Sequence, residues 1–258
     1  MVTEIIFSKK PKLRKPILLI GLPGIGLVGK IALDYMLKHL KTEKIAEIYS
    51  DSFPPSVHTQ NGLIEMIKNE LFYLKGSSQD YLFLAGPVQP ALNMTGTLNE
   101  PHFEFATQIV LMAKDLGVQE IYTLAGINIG DARMEKEPEV IIAATNEKLL
   151  KEWKALNIGK GGLISGVAGL VLGIAKRHGI EGACLMGETN VKLIYGDHGA
   201  AKILIDLLKK KYNFKVDMNK IKKESKNIED AFSQLSQQGP PKPRDDEDYE
   251  PRGLSYVR

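Results

Sequence analysis

The sequence predicts an α/β fold: a mixed, mostly parallel β-sheet flanked by helices, followed by a disordered C-terminal tail. Three observations carry this prediction. Across residues 1–215, short continuous apolar runs alternate with longer segments of helical period, the signature of strands joined by crossover helices. Two adjoining runs, Leu63–Lys68 and Glu70–Leu74, stand too close for a crossover and predict an antiparallel hairpin turning near Lys68-Asn69, which makes the sheet mixed. From residue 236 onward the apolar residues almost vanish. The chain has 258 residues, 43% hydrophobic and 25% charged, so it has the length to bury a core without disulfides or structural metal.

The first clear strand is Ile17–Leu22, apolar throughout and preceded by Pro16. Pro23, Gly24, Gly26 and Gly29 follow it. The segment Lys30–Leu40 then places Ile31, Leu33, Tyr35, Met36, Leu37 and Leu40 as the apolar positions of a well-buried helix. Lys44–Tyr49 reads as the next strand, and Asp51–Ser56, with Pro54-Pro55, as a rigid loop. After the hairpin, Tyr81–Gly86 is a buried strand running into the polar loop Gln89–Asn93. Pro101–Leu116 is a helix stopped by Gly117. Glu120–Gly126 and Val140–Ala144 are strands.

A glycine-rich helix comes next, with Ser165 as N-cap and Gly179 at its C-terminal stop. Gly162, Gly166, Gly169 and Gly173 share one helical face, which points to close packing against a strand or a neighbouring subunit, or else to a phosphate site. Gly182–Met186 is a strand. Asp197–Lys211 is a helix burying Ala200, Ala201, Leu204, Ile205 and Leu208. Residues 216–235 form a polar C-terminal helix. Residues 236–258 form a flexible tail with four prolines, an acidic cluster at 245–250 and a more apolar tip, Leu254-Ser255-Tyr256-Val257-Arg258. Such a spacer cannot bury enough surface to offset its ordering entropy. The tip is either a docking peptide or a frayed end.

The motif Gly24-Ile25-Gly26-Leu27-Val28-Gly29 fits G-x-G-x-x-G after a strand and before a helix, the setting of a dinucleotide fingerprint, and Asp51 stands where a ribose-binding acid belongs. Gly24, Gly29 and Lys30 also fit the phosphate-loop spacing. Ile31 replaces its metal-binding hydroxyl residue, however, which argues against a triphosphatase. Pro23 and the hairpin after the second strand argue against the dinucleotide reading. A nucleotide- or phosphate-binding enzyme using Gly24–Lys30 therefore stays as the alternative.

No catalytic set converges elsewhere. The five histidines make no H-x-H or H-x-x-x-H pair, so no metal site is expected. Ser165 lacks the G-x-S-x-G context. Asp197-His198 is an acid–base candidate or a helix cap, and Asp131, Glu188 and Thr189 are ligand candidates or loop caps at strand ends. Cys184, the single cysteine, sits in an apolar run and reads as a buried hydrophobe in a reducing compartment. Nine lysines between Lys202 and Lys226 read as a solvated helix face, with nucleic-acid contact as the alternative. No stretch suits a secretory signal or a membrane span, so the expected location is cytoplasmic.

Taken together, Gly21–Gly29, Gly86-Pro87-Val88-Gln89-Pro90, Leu124-Ala125-Gly126, Ile164–Leu170 and Leu185-Met186-Gly187-Glu188-Thr189 resemble, in residues and order, the proteasome-assembly-chaperone family in its archaeal type. The resemblance covers about residues 15–210. It implies a fold similar to nucleoside phosphorylases without their catalytic residues, and Gly21, Pro23, Gly24, Gly26 and Gly29 as a structural loop. It also implies a non-enzymatic, ATP-independent assembly chaperone or activator without cofactor. This would be a homo-oligomer, tetramer or pentamer, that binds the α-subunits of the core proteasome and has no membrane or nucleic-acid partner. In that family a C-terminal hydrophobic–tyrosine–any-residue ending inserts into pockets between α-subunits, which implicates Leu254, Ser255, Tyr256, Val257 and Arg258. Here the tyrosine stands one place early, with Val257 in the penultimate position.

Overall fold

A computed structural model describes residues 2–90, 100–153, 156–159 and 161–226 of the chain. The expected segments 91–93 and 227–258, including the tail tip, lie outside the described residues. Eleven strands are present: β1 Thr3–Phe7, β2 Ile17–Gly21, β3 Glu43–Ser50, β4 Val57–Gln60, β5 Leu63–Met66, β6 Asn69–Leu74, β7 Tyr81–Ala85, β8 Glu120–Asn128, β9 Val140–Ala144, β10 Asn157–Ile158 and β11 Glu181–Thr189. The helices are α1 Val28–His39, α2 Glu100–Asp115, α3 Ala132–Glu135, α4 Glu147–Glu152, α5 Gly166–Arg177 and α6 His198–Tyr212.

Nine strands form one sheet in the order β1-β3-β6-β7-β2-β8-β11-β9-β10. Its centre, β7-β2-β8-β11, is parallel. The β1-β3-β6-β7 end and the β11-β9 pair are antiparallel. The sheet is mixed as expected, and its parallel character is concentrated where helices cover both faces.

Side chains alternate across each central strand. Ile17 and Leu19 of β2 face a core with α1, α4 and α6. Leu18 and Ile20 face a second core with α2 and α5. α6 buries the five residues the pattern assigned to it, and the Asp197 carboxylate caps it by accepting from the Ala200 amide at 2.9 Å. Gly117 closes α2 and Gly179 closes α5, both at positive φ. Residues 219–226 are helical, and they dock rather than stand free. Ile221 is fully buried, and Tyr35 Oη donates to the Asp217 carbonyl at 2.8 Å while accepting from the Ile221 amide at 3.3 Å.

Two expectations are corrected. Leu63–Met66 does not pair with 69–74: β5 pairs with β4 around an Asn61-Gly62 turn, and β6 lies between β3 and β7. Both turn residues take positive φ, as a tight two-residue hairpin requires. The glycine stripe is not one packing face either. Gly162 precedes α5 and Gly173 is exposed, and of the set only Gly169 sits tight against backbone, that of Ile164.

Candidate functional site

The carboxyl ends of the central parallel strands converge where α/β proteins build their sites. β2 ends at Gly21, and the chain passes through Leu22, Pro23 and Gly24 into a single 3₁₀ turn, Ile25–Leu27, before α1. Gly26 has φ +60°, and a side chain there would collide with the Thr189 hydroxyl of β11. Gly29 lies on the Leu124 carbonyl of β8, which a methyl group at that position would overlap. Gly21 in turn backs onto Gly29. Gly24 is extended, with open space around it. These glycines therefore let helix α1 lie directly on β8 and β11.

Behind the loop is a buried polar cluster. The Asp197 carboxylate accepts from Arg133 Nε and Nη2, each at 2.9 Å, and from Thr189 Oγ1 at 3.0 Å. The Asp197 amide donates to the Gly26 carbonyl at 2.8 Å. Arg133 and Asp197 are only 3% and 2% exposed, so the pair is desolvated and held bidentate. Asp197 is thus a cap and an ion-pair partner. Its carboxylate turns to Arg133 rather than to His198, which corrects the acid–base candidate. Glu188 is buried and accepts from Lys136 Nζ at 2.9 Å and the Glu139 amide at 3.1 Å. That bond raises the Lys136 ammonium above its ordinary pKa. Exposed Asp131 pairs with Lys192 at 2.8 Å, which lowers its carboxyl pKa. The three acids singled out from sequence are all engaged in internal contacts.

In front of the loop lies a cavity of about 830 Å³ whose walls include Leu22, Gly24, Ile25, Ile127, Val167 and Met186. No Asp, Glu, Lys or Arg lines it among the described residues. Buried His102 is its one titratable wall, and desolvation lowers that imidazole's pKa and favours its neutral form. The groups the nucleotide reading would recruit are engaged elsewhere. Lys30 Nζ pairs with Asp34 at 2.5 Å, one turn down α1 and away from the loop. Asp51 lies beyond β3, which two strands, β6 and β7, separate from β2, and it accepts from the Val2 amide instead. Ser165 occupies the N-cap position of α5 without a side-chain capping hydrogen bond. Cys184 is fully buried, and burial pushes its thiol up to about 11. Among the described residues no group of three His, Cys, Asp or Glu is placed to hold a metal ion, and no helix is long and apolar enough to cross a membrane.

Sequence reasoning missed Arg133 and His102. Nothing in the local pattern marks either, because the partner of Arg133 lies 64 residues away. On α6, Lys202 lies 3.8 Å from Glu137, Lys210 and Lys211 are exposed, and the Lys211 ammonium sits over the Trp153 ring.

These features define a three-layer α/β protein whose strand-end loop is organised by internal packing. The sequence model of the PAC2 family matches residues 18–236, and the chain belongs to that family. An uncharacterized protein of Methanocaldococcus jannaschii, MJ1210, is 34% identical over 238 residues, 89% of this chain and 88% of that protein. Among solved structures, Pyrococcus furiosus PbaB, an archaeal proteasome activator, superposes with a TM-score of 0.80 at 31% identity, covering 91% of this chain and 98% of that one. Pyrococcus furiosus PbaA, an archaeal homolog of proteasome-assembly chaperone, gives 0.71 at 26% identity, with 92% of each chain covered.

Proposed function

We propose that this chain is a proteasome-binding protein of the assembly-chaperone or activator class. It works in the cytoplasm as a homo-oligomer, a tetramer or pentamer, without catalysis and without ATP. Its contacts are with the α-subunits of the core proteasome, through residues Leu254, Ser255, Tyr256, Val257 and Arg258. The carrying observation is the full-length similarity to PbaB, a TM-score of 0.80 over 98% of that chain. The strand-end loop supports the non-catalytic part. Gly21, Gly26 and Gly29 are consumed by packing, while Pro23 and Gly24 merely line an uncharged wall. A short apolar and aromatic segment on a proline-rich spacer suits capture by a preformed pocket, and several copies on one oligomer gain avidity. Pull-down of the core proteasome should succeed without nucleotide for the full chain and fail when residues 254–258 are deleted. Capture unchanged by the deletion rejects the contact segment, and no capture by the full chain rejects the proteasome reading.

A further inference from the structure

The β4–β5 hairpin forms its own two-stranded sheet and, among the described residues, pairs with no other strand. Two four-residue strands are at best marginally stable in water on their own. The register places Val57 opposite Met66 and Thr59 opposite Ile64, so these four share one face. Three of the four are apolar, yet Val57, Ile64 and Met66 are 49%, 71% and 63% exposed, as is Leu63 at the turn, at 70%. The single charged residue of the two strands, Glu65, pairs with His58 on the opposite face. The apolar face therefore lacks the lysines and prolines by which exposed strands are usually blunted.

The patch extends past the hairpin. A groove of about 810 Å³ lies between Val57 and Met66 at the hairpin base and Val2 with the β1 residues Glu4 and Ile6, and its lining also includes Ser50, Asp51 and Ser56. β1 is the edge strand of the large sheet, and Val2 and Ile6 are 57% and 54% exposed. Five of the fourteen exposed large hydrophobic residues among the described ones, Val2, Ile6, Val57, Ile64 and Met66, thus lie on this side of the hairpin and groove, while Leu63 stands on the hairpin's other face. With on the order of 100 Å² exposed on each, they supply roughly 500 Å², against ~800 Å² per partner in a standard interface, before backbone and polar rim are counted.

We propose that this face is a contact between two copies of the chain, the hairpin of each lying in the β1 groove of the other about a two-fold axis. This rests on the homo-oligomer reading given above in its tetrameric form, since a closed five-membered ring has no two-fold contact, and names one of its interfaces. The choice of a second copy follows from the shape of the patch. One surface carries both a projecting apolar element and a recess beside it in which Val2, Ile6, Phe53 and Pro54 supply apolar wall next to Glu4 and Asp51, the self-complementarity that an isologous contact requires. Ile64 of one copy then covers Ile6 and Met66 of the other, and the hairpin gains a covering layer on its apolar face.

Sedimentation of the full chain tests this, comparing the natural sequence with Ile64→Asp/Met66→Asp. Both positions are exposed, so the variant should fold and melt as the parent does. Its self-association should weaken on the order of thirtyfold or more, the loss expected for two central apolar contacts. Independently, Ile6→Cys and Ile64→Cys chains mixed under oxidising conditions should form a mixed disulfide, the native Cys184 being buried. An assembly unchanged by the double substitution, or no mixed disulfide, overturns the hairpin contact and leaves the homo-oligomer reading intact. A natural chain that sediments as single copies at tens of micromolar overturns both.

Discussion

Arg133 and Asp197 face each other as a bidentate pair, with both N–O distances at 2.9 Å and both residues almost wholly buried. The pair joins α3 to the start of α6. Because Asp197 also takes the Thr189 hydroxyl and the Ala200 amide, one carboxylate fixes three elements and, through its own amide, the Gly26 turn. Such a network is costly to break from one side, because a buried guanidinium loses its counter-charge. Asp197→Ala should destabilise the protein by about 3–5 kcal/mol, read from the denaturant midpoint. Asp197→Asn should lose less, because it keeps an acceptor for the α6 cap.

The strand-end glycines predict an ordered series of melts. Gly29→Ala places a methyl on the Leu124 carbonyl, backbone that cannot swing aside, and should cost about 3 kcal/mol or more. Gly24→Ala meets nothing within 4 Å at an ordinary extended φ, so its effect should stay within about 0.5 kcal/mol. A loop that cradled phosphate would reverse the emphasis, with Gly24→Ala silent in stability but damaging to ligand binding. Calorimetry of the parent with nucleotides and dinucleotides at millimolar concentration should show no heat.

At the antiparallel end of the sheet, Glu47 accepts from Lys44 at 2.6 Å, Lys68 at 2.8 Å and the Tyr49 hydroxyl at 2.9 Å. The Lys44 hydrogen bond, followed by those from Lys68 and Tyr49, lowers its carboxyl from 4.5 to about 2. A folded-state pKa below the unfolded one gives stability that is present above about pH 4.5 and is lost as the pH falls towards 2. Because the group is partly solvated, the contribution should be held to about 1 kcal/mol. Glu47→Gln should therefore flatten the stability–pH curve in that acid window and leave the neutral region with only a small loss, measured by urea unfolding across pH.

The sequence reveals the pieces of this fold more readily than their order. The β2 and β7 runs announce themselves because both faces are buried, and α6 because its five core residues keep a strict helical period. Strand order is another matter. β3 and β7 are both neighbours of β6, but that adjacency is decided by pairing between distant segments. The hairpin error had a local remedy, since Asn61-Gly62 is a strong turn signal and outweighs Lys68-Asn69. At the site, Asp197 is legible as a cap from its place before a helical run, whereas its charge partner is not. Glu188 and Thr189 look free in sequence only because Lys136 and Asp197 approach them through folding.

The last relationship concerns how the segment leading toward the tail is held. Tyr35 of α1 is buried, and its hydroxyl serves both the Asp217 carbonyl and the Ile221 amide, closing the start of the helical stretch 219–226 onto the core. Phenylalanine would keep the ring, including its stacking on His39 at 4.5 Å, and remove only the two hydrogen bonds. The stranded backbone groups make the loss about 1–3 kcal/mol, but locally rather than over the whole domain. Amide exchange should therefore quicken across 217–226 in Tyr35→Phe while β2, β8 and β11 keep their protection. If exchange rises equally in the central strands, the helical stretch is part of the global unfolding unit. If only 217–226 loosens, Tyr35 is the latch that holds this stretch on the core.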